Sequence, residues 1–171
     1  DQAGVAVPAT IAEMADALPV LVEKTGAEYG LNVRVNQYEL ENWIETQGAS
    51  GSEFGNNKNG HEGYMTELSC VSNGTLDKFL TEWEKVVNSG AYKPSKDEEF
   101  AAGMHAMVIM TSSRIPTISE LVGDSFNWGV AAIPAVSADD IGGAYPSGSG
   151  LFMMDRDDEA KKVAAWEFVQ Y

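Results

Sequence analysis

A short apolar run with an abrupt polar stop constrains this chain more than any other feature. Residues 106–110 read Ala, Met, Val, Ile and Met, and Thr111, Ser112, Ser113 and Arg114 follow at once. Five bounded apolar residues suit a buried strand better than a helix. Pro116 comes two residues after Arg114. Proline is favoured in the first turn of a helix and serine at the cap before it, so a short helix is expected to start here. A second apolar run, residues 130–133, stops at Pro134. Strand, polar turn, short helix and strand make a βαβ unit, whose two strands are expected to be parallel.

That order places the chemistry. Ligands of open α/β sheets sit beyond the carboxyl ends of the strands. Thr111, Ser112, Ser113 and Arg114 occupy such an end, at a helix start where free N–H groups favour an oxygen-rich or anionic ligand. The plainer alternative is that Ser112 or Ser113 only caps the helix.

The chain has 171 residues, enough for one domain with a real core. It is 44% hydrophobic and 22% charged, as globular domains are, with a formal net charge of -15. Such a charge repels nucleic acid and anionic membrane surfaces, and the eleven basic residues are scattered. One cysteine, Cys70, leaves no internal disulfide framework. The chain opens at Asp1 without a methionine and stops at Tyr171 in a helical pattern. Both ends look cut, and the expectation is one domain of a longer protein.

Taken in order, Thr10 and Glu13 form a capping box ahead of Ile11, Met14, Ala15, Leu18, Leu21 and Val22 on one helical face. Pro19 is expected to kink or end that helix. Leu31, Val33 and Val35 alternate with polar residues as a half-buried strand does. Tyr38, Leu40, Trp43, Ile44 and Gln47 suit a short helix. Residues 48–63 are rich in Gly, Asn and Ser and read as a surface loop. An EF-hand register on Gly60 puts Gly55 first and Thr66 last, where carboxylates are required, so no calcium loop is expected. Leu76, Phe79, Leu80, Trp83, Val86 and Val87 define the clearest amphipathic helix. Asp97, Glu98 and Glu99 open a helix that leads into the central strand. The glycine cluster of residues 142–150 lets the backbone approach a ligand closely, or forms a plain loop. Residues 151–154 read as a further strand, and Val163, Trp166 and Val169 as one face of a last helix.

Catalytic chemistry is poorly served. The two histidines, His61 and His105, read as an exposed loop residue and a packed core residue. No metal-ligand spacing and no Walker-type loop occur, so no metal and no cofactor are expected. Carboxylates are abundant, yet nothing in the spacing sets two across a cleft, as glycoside hydrolysis needs. A binding role therefore leads an enzymatic one.

These pieces, in this order, resemble an extracellular solute-binding protein of a bacterial ABC importer, of the carbohydrate and glycerol-phosphate type. The likeness rests on Pro8, Ala9 and Thr10, on residues 99–103, on Ala106 and Met107, and on Thr111, Ser112 and Ser113. It rests further on Phe126, Asn127, Trp128, Gly129 and Val130 with Ile133 and Pro134, on residues 145–150, and on residues 164–168. The resemblance implies an α/β fold, one lobe of a two-lobed periplasmic-binding-protein-like molecule with a mixed sheet flanked by helices. Residues 1–171 would be a single lobe, with the first lobe and a C-terminal segment lying outside them. It implies a non-enzymatic receptor that hands a sugar, an oligosaccharide or a glycerol-phosphate-like solute to an ABC permease. Such a receptor is extracellular, lipid-anchored at the cell surface or periplasmic. Ligand contacts are implied at Ser112, Ser113, Gly148 and Ser149. Glycerol-phosphate binders carry an aromatic residue near the strand that here reads Leu31, Asn32, Val33 and Arg34. Trp43, Trp128 or Tyr145 would supply the stacking face instead. Arg114 would pair with an anionic group of the ligand, or simply cap surface carboxylates. The rival from another class is a carbohydrate-active hydrolase domain, and a third is an interaction domain with no small-molecule site.

Overall fold

The computed structural model describes residues 3–58, 60–144, 148, 151–154 and 157–171. The first helix, α1 (Ile11–Thr25), starts where the capping pattern puts it. Thr10 Oγ1 accepts from the Glu13 N–H at 3.2 Å, and the Glu13 carboxylate accepts from the Ala9 N–H rather than from Thr10. The helix does not end at Pro19. It continues to a left-handed cap at Gly26, which the missing Cβ permits. An interior proline costs about 3 kcal/mol, offset here by the burial of Ile11, Met14, Ala15 and Leu18 along one face.

Strand β1 (Tyr29–Asn32) follows, then α2 (Gln37–Glu45), whose N-cap Asn36 and Glu39 form a full capping box. The surface loop leads to α3 (Ser69–Ser72) and α4 (Thr75–Asn88). After α5 (Glu98–Ala101) the chain enters β2 (His105–Val108), a 3-10 turn at Ser112–Arg114 and α6 (Ile115–Val122). The last helix is α7 (Glu159–Gln170).

β1 and β2 pair in parallel, with Tyr29 opposite His105, Leu31 opposite Met107 and Asn32 opposite Val108. On the other side of β1, the N–H groups of Gly30 and Leu31 donate to the Ala91 carbonyl and the Lys93 N–H donates to Leu31. α1 lies close on this sheet. A Cβ added at Gly30 would stand 2.9 Å from the Leu18 Cβ, so glycine is required where helix and strand meet. The main core joins α1, β1, α2, α4 and Val136. At its centre Trp43 stacks on Phe79 at 5.3 Å and meets Trp83 at 5.2 Å. A smaller cluster forms on the other face of β2, where Phe100, Ile118 and Val122 gather Val108, Met110, Phe126 and Trp128.

Two expected strands do not form. Residues 130–133 make no strand, and Val130 is 69% exposed. β2 takes β1 as its parallel partner instead. Two alanines give residues 130–133 little apolar area to bury, and the chain beyond is claimed elsewhere: the Ala135 N–H donates to Ala9 and the Ala135 carbonyl accepts from Ile11, both at 2.9 Å. Residues 151–154 are also outside regular structure, with Leu151, Phe152 and Met154 exposed. The face carried by Val163, Trp166 and Val169 exists on α7 but is uncovered.

One polar staple ties the turn at residues 137–140 to the body. Asp140, its side chain 1% exposed, accepts from Lys78 Nζ at 2.7 Å, from the Gly48 N–H at 2.8 Å, and from the N–H and hydroxyl of Ser137. Burial works to raise the Asp140 pKa, but these donors outweigh it and hold the carboxyl below its usual range. Because the folded value is the lower one, the stabilisation is complete above the unfolded value, about 4, and disappears as pH falls through the folded value. Asp140→Asn is expected to cost about 1–3 kcal/mol at pH 7. In urea unfolding across a pH series, the gap from wild type should close below about pH 4.

Candidate functional site

Because β1 and β2 run in parallel, their carboxyl ends lie side by side. Beyond β1 the chain passes through residues 33–36 into α2. Beyond β2 the Ile109 N–H still donates to the Asn32 carbonyl at 3.0 Å, and the chain then bends. Thr111 is extended, and the Arg114 N–H closes the bend on the Thr111 carbonyl at 3.0 Å. Thr111 Oγ1 and Ser113 Oγ share a hydrogen bond at 3.2 Å. Thr111, Ser112 and Ser113 are all exposed. The turn at Ser112–Arg114 makes no side-chain cap, and neither does the start of α6. No side-chain cap therefore accounts for the two serines, which are exposed past the end of β2.

Arg114 is engaged within the protein. Its Nε donates to Asp97 Oδ2 at 3.1 Å and its Nη2 to Glu98 Oε1 at 3.0 Å. The Glu98 backbone N–H, with Arg114 behind it, holds the Glu98 carboxyl below its usual range. Of the two roles expected for Arg114, the structure displays the second, holding surface carboxylates. Those two pairs fasten the bend to the start of α5. The acidic triplet was legible as a helix start, but an ion pair spanning sixteen residues leaves no local pattern.

The aromatic candidates part company. Trp43 is fully buried; Phe79 and Trp83 take its faces, and its Nε1–H donates to the Pro134 carbonyl at 2.9 Å. It is a core residue, and its place among the ligand contacts is corrected. Trp128 is half-buried, edge-on to Phe100 at 6.4 Å, and belongs to the cluster that includes Met110, next to the bend. Tyr145 and Ser149 lie outside the described residues. Gly148 is exposed, and a Cβ there would meet nothing within 4 Å, so no close approach demands a glycine. The glycine-rich segment starts over the far end of α2: the Ile141 N–H donates to Gly48, the Gly142 N–H to Thr46, and Asn42 Nδ2 to Gly143. Among the described residues, no hydrogen bond joins that segment to the serine bend.

His105 is 2% exposed and stacks on Tyr29 at 5.5 Å; burial pushes its pKa down, so it packs as a neutral ring. Among the described residues, no group of three His, Cys, Asp or Glu is placed to hold a metal, and no helix is long and apolar enough to cross a membrane. Two cavities lie away from the bend. One, about 210 Å³, is lined by Phe152, Met153, Met154 and α7. The other, about 510 Å³, runs along α4 past Leu80, Trp83 and Val87.

A small parallel sheet packed on helices, with an open hydroxyl-bearing bend at its carboxyl edge, defines an α/β lobe of the periplasmic-binding-protein type. The chain belongs to the bacterial extracellular solute-binding protein family, whose model matches residues 1–171. No curated protein gives a match. Among solved structures the chain is similar to the GacH receptor of Streptomyces glaucescens GLA.O, a structure determined unliganded and in complex with acarbose. The identity is 26%, the TM-score is 0.59, and the match covers 81% of this chain. It covers 36% of the GacH chain, so the sequence spans about a third of that receptor's length.

Proposed function

We propose that residues 1–171 are one ligand-binding lobe of an extracellular receptor that delivers a small hydroxylated solute, a sugar or oligosaccharide, to an ABC permease. The observation that carries this is the exposed bend at Thr111, Ser112 and Ser113 on the carboxyl edge of the sheet. Three adjacent hydroxyls can donate to and accept from a polyol, which matches a sugar better than any apolar solute. The likeness to a receptor whose structure contains acarbose points the same way. Trp128, half-buried in the cluster that includes Met110, is the candidate for stacking on a sugar ring. The second half of the clamp and the permease surface belong to the rest of the receptor, and a sugar is favoured over a glycerol-phosphate-like solute by the likeness to a receptor solved with acarbose.

The test is calorimetry on the intact receptor with maltose, maltotriose and acarbose. Binding of at least one of them is expected, with no release of reducing sugar. Ser112→Ala combined with Ser113→Ala is expected to weaken binding at least tenfold, about 1.4 kcal/mol. Unchanged affinity would remove the bend from the site, and turnover would favour a hydrolase.

A further inference from the structure

The sheet's carboxyl edge carries a second arginine, and this one is open. Leu31, Val33 and Val35 all pack in the main core, so the alternation of β1 persists past its end and sends Arg34 to the other face. Arg34 is exposed, and among the described residues no hydrogen bond or ion pair engages its side chain. The register sets its place. Asn32 stands opposite Val108, the last pair, and the Ile109 N–H still donates to Asn32; continued two residues past the strand ends, the same register puts Arg34 level with Met110, directly before Thr111. Val108 and Met110 belong to the smaller cluster with Phe126 and Trp128, while Met107 and Ile109 pack in the main core. Arg34 therefore shares the face that leads to the bend and to Trp128.

We infer that Arg34 is a ligand-contacting residue of this lobe, donating from the end of β1 to the same sugar that the Ser112 and Ser113 hydroxyls hold from the end of β2. A guanidinium presents its N–H groups as a planar fork. Adjacent hydroxyls of a pyranose offer two acceptor oxygens to such a fork, and the fork keeps its charge at every physiological pH. Arg114, though nearer in sequence to the serines, has its donors turned to Asp97 and Glu98. The inference rests on the sugar-receptor reading above and names the specificity residue of that site.

The experiment is titration of the intact receptor with maltotriose, with thermal unfolding of every variant run in parallel. Arg34→Gln is expected to lower maltotriose affinity at least fivefold at an unchanged Tm, since the side chain is exposed. Arg34→Lys, which keeps charge but loses the fork, should fall between the two. Combining Arg34→Gln with Ser113→Ala should cost less than the product of the single effects, as expected of two groups on one ligand. Arg34→Gln binding within twofold of wild type, while the serine variants weaken binding, would overturn the inference and leave the sugar reading standing. Failure of the wild type to bind maltose, maltotriose and acarbose alike would sink both.

Discussion

Replacing Trp43 by alanine is expected to destabilise the lobe by about 3–5 kcal/mol, the range for deleting a large aromatic side chain from a packed core. Trp43 is the centre of the aromatic stack, in contact with Phe79 and Trp83, and Trp83 in turn meets Tyr92 edge-on at 5.3 Å. No neighbour is positioned to collapse into the space, because each ring is held by another. Trp43→Phe separates the two contributions of the side chain. Phenylalanine keeps most of the apolar volume but leaves the buried Pro134 carbonyl without its donor, at a cost of about 1–3 kcal/mol. Urea unfolding should rank wild type, Trp43→Phe and Trp43→Ala in that order of stability. A Trp43→Ala protein as stable as wild type, with intact sugar binding, would mean that the ring is not the keystone described here.

The second large effect is expected at Asn32, which joins the fold to the site. Asn32 is 1% exposed, and both ends of its amide are used: Oδ1 accepts from the Ser95 N–H at 2.8 Å and Nδ2 donates to the Lys96 carbonyl at 2.9 Å. Asn32→Leu fits the volume and strands the buried Ser95 N–H, costing about 1–3 kcal/mol. The consequence reaches further than stability. Ser95 and Lys96 lead directly into Asp97, the carboxylate that holds Arg114 and through it the serine bend. Asn32→Leu is therefore expected to weaken sugar binding as well as lower the unfolding midpoint, whereas Trp43→Phe should lower the midpoint alone. Measuring both properties on both variants separates a distant packing defect from a defect transmitted to the bend.

What could be read in advance was local. The start of α1 at Thr10, the amphipathic pattern of α4, the burial of His105 and the strand ending at a serine pair all follow from spacings within a dozen residues, where propensity and periodicity act directly. What escaped was set by partners far along the chain. Residues 130–133 look like a strand by composition, but the chain just beyond them is held by hydrogen bonds of Ala135 with Ala9 and Ile11, more than a hundred positions away. Trp43 reads as a core residue ahead of a sugar platform, and only the rings of Phe79 and Trp83, arriving from α4, remove the second role. The two arginines could not be ranked in advance either. Arg114 adjoins the serines and is bound to carboxylates sixteen and seventeen positions away, while Arg34 reaches the same edge through strand register alone.

Gly30 gives the sheet a property that no side chain at that position could reproduce. Because nothing but hydrogen separates the strand from Leu18, the helix acts as a stop against which β1 is seated. Any larger residue there would wedge the helix outward or slide the strand lengthwise. A lengthwise slip would carry Arg34 past the serine bend by a fraction of a residue's rise, detuning the proposed binding edge from beneath without altering a single group on it.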